Sequence, residues 1–106
     1  MLNQVVLVGR LVDEIKVEKI DDDKIMGSIK LAVPRPYKNK EGIYDNDTIE
    51  IELYGSIASN THEYCNKGDI IGIKGRIENG NHIIAEKVTF LSSKKVEEEG
   101  GEEDGE

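Results

Sequence analysis

The chain contains few of the residues that cross-link, interrupt or stack within a small fold. Its 106 residues include one cysteine, two prolines, four tyrosines, one phenylalanine and no tryptophan. The single cysteine, Cys65, excludes an internal disulfide and a cysteine-ligated metal centre, which indicates a reducing compartment. The sequence also lacks a signal peptide and any long apolar run, so we expect a cytoplasmic protein without a membrane segment.

Motifs that would support catalysis or cofactor binding are also missing. Gly72 and Gly75 do not follow a strand-to-helix turn, so they do not form a dinucleotide-binding fingerprint. The neighbouring His62 and Glu63 have no third ligand at short spacing, which favours a solvent-exposed helix face over a metal site. No nucleophile lies beside a base in a recognisable pattern. The sequence therefore predicts that the protein is not an enzyme and that it binds neither a cofactor nor a metal.

Charge divides the chain into two parts. Residues 94–106 are nearly all Glu, Gly, Asp and Lys, a composition that buries too little apolar surface to offset chain entropy. We therefore expect a domain at 1–93 and a disordered acidic tail at 94–106. Of the net charge of −8, the domain carries −3, from 12 Lys and Arg against 15 Asp and Glu. The tail carries −5, from 2 Lys against 7 Asp and Glu.

Apolar residues alternate along most of the domain, which indicates strands. Strand patterns cover residues 2–12, 24–33, 49–54, 69–78 and 82–91, and a weaker, half-exposed pattern covers 15–20. Between residues 56 and 68 the pattern favours a short helix, with Ser56 as its N-cap and Gly68 as its stop. Pro34 and Pro36 are expected to end a strand, so 35–47 is predicted to be a loop. This order predicts an all-β, five-stranded OB-fold barrel with one short helix between the third and fourth strands.

Several short motifs, in order, resemble the bacterial single-stranded DNA-binding protein family, and the resemblance spans residues 1–91. The motifs are Asn3-x-Val5-x-Leu7-x-Gly9-x-Leu11, Leu31-Ala32, the segment from Arg35 to Asn39, Tyr54, Ala58 with Tyr64, Lys67-Gly68 and Gly72 with Gly75-Arg76. The resemblance implies non-enzymatic, sequence-tolerant binding of single-stranded DNA in replication, recombination and repair, in the cytoplasm at the nucleoid. It also implies a homo-oligomer, a tetramer or a dimer, with the first strand at the dimer interface. The acidic tail would contact replication or repair proteins.

Single-strand binding needs flat rings for base stacking and cations that follow the phosphates. Tyr37 and Tyr54 occupy the family's stacking positions, and Tyr54 points away from the core-facing Ile51 and Leu53 by strand alternation. The cations expected to contact phosphate are Arg35, Lys38, Lys40, Lys30, Lys74 and Arg76. Tyr64, Cys65 and Phe90 are expected to lie in the core.

A second hypothesis comes from a different class: an OB-fold adaptor that binds protein, such as a primosome or phage accessory factor, with weak or no DNA affinity. The low aromatic content and the net charge of −8 favour it. Thr48 stands where relatives carry a large ring, and the hairpin from Glu78 to Asn81 is short. Glu50 and Glu52 share the polar face with Tyr54 and would repel phosphate.

Overall fold

The computed structural model describes residues 1–92, so the predicted acidic tail at 94–106 lies outside the described residues. Residues 1–92 form six strands and one helix. They are β1 (Val5–Leu11), β2 (Lys16–Asp21), β3 (Lys24–Lys38), β4 (Tyr44–Tyr54), α1 (Ser56–Tyr64), β5 (Ile70–Glu78) and β6 (His82–Ser92). In this part of the chain, no helix is long and apolar enough to cross a membrane.

The six strands form one sheet that closes on itself. Its order is β1-β5-β6-β4-β3-β2, and a further pairing between β1 and β3 closes the barrel. All neighbours are antiparallel except β4 and β6, which run parallel. The predicted all-β OB-fold class is confirmed, because the strands close into a small barrel that carries one helix.

The core follows from strand alternation, because successive side chains point to opposite faces of a sheet. Each strand of the barrel sends one set of residues inwards. The largest fully buried side chains are Leu11, Ile29, Leu31, Ile51, Leu53, Ile71 and Ile73. On β1 the opposite set is also apolar, so that Val6 and Val8 are exposed on the outer face. Burial of a side chain of this size contributes about 1.5–3 kcal/mol, and the inward set is therefore the main stabilising element.

The number of strands and the predicted loop differ from the sequence expectation. The half-exposed segment forms a separate strand, β2, so the sheet has six strands and α1 follows the fourth of them. The loop predicted at 35–47 is wrong, since β3 continues to Lys38 and β4 begins at Tyr44. The two prolines are tolerated because the pairing of β3 with β4 shifts register between Pro34 and Lys38.

The ends of α1 also differ from expectation. Gly55, with φ of 64°, occupies the N-cap position, and the helix begins at Ser56. The helix ends at Tyr64, four residues before Gly68, because Cys65 turns to an extended conformation. This turn buries Cys65 as predicted.

Two aromatic residues expected in the core lie outside it. Tyr64 is 66% exposed and Phe90 is 49% exposed. Together they border a groove between α1 and β6 whose floor includes Ile57, Cys65 and Val88. Both rings stand beyond the layer of residues that fills the barrel.

We predict that Gly75→Ala destabilises the barrel and Gly72→Ala does not. Gly75 lies at a register shift between β5 and β6, where an added Cβ would overlap the carbonyl oxygen of Ile84. The atoms that the added Cβ would meet belong to the backbone of Ile84 and Ala85, so the two strands must separate. We expect this separation to lower the free energy of unfolding by about 1–3 kcal/mol. At Gly72 the nearest atom, in the Leu91 side chain, lies 3.7 Å away, an ordinary contact. Thermal melting of both variants measures the difference, and equal melting temperatures would contradict the prediction.

Candidate nucleic-acid interface

The outer face of β3 and β4 carries the residues that the barrel does not bury. The two strands pair antiparallel over most of their length, so cross-strand neighbours meet on this face. The outward pairs are Met26 with Tyr54, Ser28 with Glu52, Lys30 with Glu50, Ala32 with Thr48 and Pro34 with Asn46. The face is therefore aromatic at one end, charged in the middle and small at the other end.

Tyr54 ends β4 with its ring on this outer face. The residue is 41% exposed, whereas Leu53 before it is fully buried, as strand alternation predicts. Its Oη donates a hydrogen bond to Glu52 Oε1 at 2.8 Å. This hydrogen bond to a carboxylate raises the pKa of Tyr54, so the phenol stays protonated at neutral pH. The ring is thus both accessible and restrained.

Glu52 also meets a residue from a distant part of the chain. His82, the first residue of β6, places Nδ1 2.5 Å from Glu52 Oε2. The parallel pairing of β4 with β6 brings the two side chains together. The contact with His82, followed by the hydrogen bond from Tyr54, lowers the pKa of Glu52 despite partial burial of the carboxylate. A charged carboxylate therefore lies beside the candidate stacking ring.

Tyr37 and Tyr44 lie at the tip of the β3–β4 hairpin, and both rings are exposed, Tyr37 by 61%. Lys38 is the cross-strand partner of Tyr44 and holds its Nζ 5.7 Å from the centre of that ring, a cation–π geometry. The turn itself is fixed by Asn39, whose side-chain oxygen accepts hydrogen bonds from the backbone of Glu41 and Ile43. The expected interleaving of rings and cations is therefore present on an ordered turn, with Lys40 exposed within it.

Arg35 is held by carboxylates on the facing strand. Its Nε and Nη2 donate to Asp47 at distances of 2.9–3.3 Å, and Nη1 lies 3.9 Å from Asp45. The hydrogen bonds to Asp47 raise the pKa of Arg35 and lower that of Asp47. A phosphate would have to compete with a bidentate carboxylate for this guanidinium.

The two cations predicted on β5 lie in different surroundings. Arg76 donates to Glu78 at 2.8 Å and to Glu86 at 3.2 Å, and these contacts raise its pKa. Lys74 lies across from Val6 of β1 and Lys87 of β6, on the face formed by those three strands. The structure therefore places Lys38 and Lys40 with Tyr37 and Tyr44 at the tip of the β3–β4 hairpin, Lys30 in the middle of β3, and Lys74 on the face of β1, β5 and β6.

Two residues of this surface escaped the sequence reasoning. The ion pair between Asp47 and Arg35 is not predicted from the sequence, because a loop at 35–47 has no strand register to bring the two side chains together. His82 was not associated with Glu52, since thirty positions separate them and no sequence period indicates a parallel pairing. Strand alternation in the sequence places Glu52 on the same face as Tyr54, but it gives no indication of His82.

A small closed barrel with this strand order is an OB fold. Here one hairpin of the barrel carries exposed aromatic rings. The model of the single-strand binding protein family matches residues 2–95. The chain belongs to this family.

Individual relatives agree with the family match. The chain is 31% identical over 109 residues to single-stranded DNA-binding protein B of Bacillus subtilis, a match that covers 92% of this chain and 96% of that protein. It is 33% identical over 107 residues to single-stranded DNA-binding protein 3 of Listeria innocua, covering 90% and 67% of the two chains.

A solved structure supports the fold independently. The crystal structure of a deletion mutant of the single-stranded DNA binding protein from Thermus aquaticus superimposes with a TM-score of 0.70 at 21% identity. The match covers 88% of this chain and 52% of that one, so the present chain spans about half the length of that protein. At this identity the likeness establishes the fold alone.

Proposed function

We propose that this protein binds single-stranded DNA without sequence preference, in DNA replication, recombination and repair. The observation that carries the proposal is the β3–β4 hairpin of a family barrel, where Tyr37 is exposed beside Lys38 at the tip, Tyr54 is exposed at the opposite end of β4, and Lys30 lies between them. Unstacked bases would lie on the rings, and the lysines would contact phosphates. The protein acts by binding rather than catalysis, in the cytoplasm at the nucleoid.

Arg35 and Arg76 also contact the DNA in this proposal. Each guanidinium group would exchange its carboxylate partner for a phosphate group. Both guanidinium groups are already oriented on the surface by their acidic partners. Lys74 would contact DNA that extends beyond the hairpin onto the face of β1, β5 and β6. The domain is assigned to residues 1–93 and the acidic tail to 94–106.

A homo-oligomer follows from the outer face and open edge of β1. The strand bonds to β5 from Val5 to Arg10, whereas β3 reaches it at Arg10 and Leu11 among the described residues. The first part of β1 therefore offers backbone groups to a second copy. Val6 and Val8 add exposed apolar surface beside that edge. We assign a tetramer built from such dimers, with a dimer as the simpler assembly, and partner proteins of replication or repair to the tail.

The protein-adaptor alternative is not favoured. Thr48 and the carboxylates of Glu50 and Glu52 reduce the stacking surface and the attraction for phosphate. The rings at Tyr37 and Tyr54 nevertheless remain exposed, which an adaptor without DNA affinity would not require.

A fluorescent oligo-dT titration at several salt concentrations tests the proposed function. We expect saturable binding whose affinity falls with salt, with a logarithmic slope of about −0.7 per neutralised phosphate. A duplex of matched length should bind more weakly, because its bases are hidden from the tyrosines. Equal affinity for duplex would show that binding is purely electrostatic, and no binding at low salt would favour the adaptor.

Tyr37→Ala and Tyr54→Ala should each weaken oligo-dT binding by about 1–3 kcal/mol, the usual contribution of one stacked base. Neither ring fills the core, so melting temperatures should change little. Tyr64→Ala is the matched control, since this residue is about as exposed as Tyr37 but stands on α1 beside the groove to β6. An equal loss of affinity in all three variants would remove the assignment of the stacking positions.

Asp47→Asn should strengthen oligo-dT binding by about two- to five-fold, a range typical of surface ion pairs. The change weakens the bidentate contact and releases Arg35 for phosphate. Asp22→Asn is the control, because it removes the same charge at the turn before β3, while Arg35 lies near the other end of this fifteen-residue strand. If both variants gain equally, net charge alone explains the result and Asp47 does not compete for Arg35.

Deletion of residues 96–106 should strengthen DNA binding, most of all at low salt. The tail carries most of the excess negative charge and would compete with phosphate for the cations of the barrel. This competition is Coulombic, so it should fade as the screening length falls to about 8–10 Å near physiological salt. Titration of full-length and truncated protein with oligo-dT measures the effect, and a truncated chain that binds no better at low salt would refute it.

A further inference from the structure

Glu52 connects the candidate stacking ring to a second strand. Its carboxylate accepts the Tyr54 hydroxyl through Oε1 and contacts His82 Nδ1 through Oε2. The side chain is 18% exposed, against 49% for that of His82. Two directional contacts on a largely covered carboxylate favour one conformation, and the carboxylate in turn restrains the Tyr54 hydroxyl.

We propose that Glu52 and His82 are positioning residues for Tyr54, and that protonation of His82 strengthens single-stranded DNA binding at this ring. The inference rests on the proposed function, because it assigns roles to neighbours of the same stacking position. Restraint of the Tyr54 ring and neutralisation of the Glu52 carboxylate are two separate physical effects.

Order matters because a base stacks well on a ring that is already fixed. A ring restrained in the free protein loses less conformational freedom when a base binds, which is the general advantage of preorganisation. Tyr54 is the last residue of β4, where the strand gives way to α1, so backbone pairing restrains it on one side alone. The contact with Glu52 supplies the missing restraint, and His82 anchors Glu52 from β6.

Charge matters because Glu52, bonded to the Tyr54 hydroxyl, would repel the phosphate of a base stacked on that ring. With a neutral imidazole, Glu52 presents an uncompensated negative charge. With a protonated imidazole, Glu52 and His82 form a neutral pair. Imidazole is the side chain that ordinarily changes charge between pH 5 and 8. Repulsion of phosphate should therefore decrease as the pH falls through this range.

Other charged groups surround the pair. Glu50 and its cross-strand partner Lys30 lie on the β3–β4 face, and Glu78 faces His82 across β5 and β6. Carboxylates and ammonium groups ordinarily titrate outside this range. The contact with His82 lowers the pKa of Glu52 and keeps that carboxylate charged throughout.

The first experiment uses the free protein. Ring signals of Tyr54, assigned by their loss in Tyr54→Phe, are followed by NMR from about pH 5.5 to 8. We expect them to move with pH in the wild type and in the control His62→Gln, which changes the histidine of α1. They should stay fixed in His82→Gln, whose amide still donates to Glu52 but does not titrate. Tyr54 signals that do not move in the wild type overturn the inference.

The second experiment measures oligo-dT affinity at pH 6 and pH 8 at constant ionic strength. Oligo-dT is chosen because thymine has no group that titrates in this interval. The ratio of Kd at pH 8 to Kd at pH 6 should be about two- to five-fold larger in wild type and His62→Gln than in His82→Gln. Glu52→Gln keeps the imidazole and still accepts from Tyr54 but removes the carboxylate, so its Kd at pH 8 should lie below that of the wild type.

The outcomes separate the inference from the proposed function. Equal ratios in wild type and His82→Gln overturn the inference and leave DNA binding intact, as does a Glu52→Gln variant that binds no more tightly than the wild type at pH 8. Absence of oligo-dT binding by the wild type at both pH values overturns the proposed function and the inference with it. Thermal melting establishes that each variant is folded, and either of the two positioning variants suffices for the comparison.

Discussion

The structure depends on the closure of the barrel at β1, which pairs with β5 along its length and with β3 at its end. This change of partner brings the two backbones close at Gly9, where an added Cβ would lie 2.6 Å from the carbonyl oxygen of Ala32. A side chain at Gly9 would hold β3 away and open the sheet. Closure assigns an inner and an outer face to every strand, so the exposure of Tyr54 is a consequence of the same constraint that buries Leu53.

The outer face shows how an acidic domain accommodates a polyanion. Two of its arginines are paired with neighbouring carboxylates, Arg35 with Asp47 and Arg76 with Glu78. Such surface pairs contribute little to stability, since solvent screens them. Their effect is on orientation, because they hold planar guanidinium groups in place for another anion with similar geometry. In the proposed DNA-binding role, phosphate therefore has to compete with these carboxylates for the guanidinium groups.

The sequence predicted the fold because local alternation and barrel closure agree. Ile51 and Leu53 are buried and Tyr54 is exposed, as the strand period requires. The predictions that were wrong depend on long-range geometry. The two prolines after Val33 suggested a loop, but a register shift between β3 and β4 absorbs their missing donors. Tyr64 and Phe90 were expected in the core by residue type, whereas the small barrel is already filled by aliphatic residues. The contacts of Glu52 with His82 and of Arg35 with Asp47 could not be predicted, since each depends on the pairing of strands rather than on spacing.

The tight turn between β5 and β6 explains why His82 reaches the candidate interface. Asn79 and Gly80 both adopt positive φ, 52° and 82°, which allows the chain to reverse within a few residues. Glu78 and His82 are therefore direct cross-strand partners, and the parallel pairing of β6 with β4 begins one residue later, at Ile83. A longer connection would place residues of a loop, not the first residue of β6, near Glu52. The short hairpin thus brings an imidazole, rather than loop residues, beside the carboxylate of Glu52.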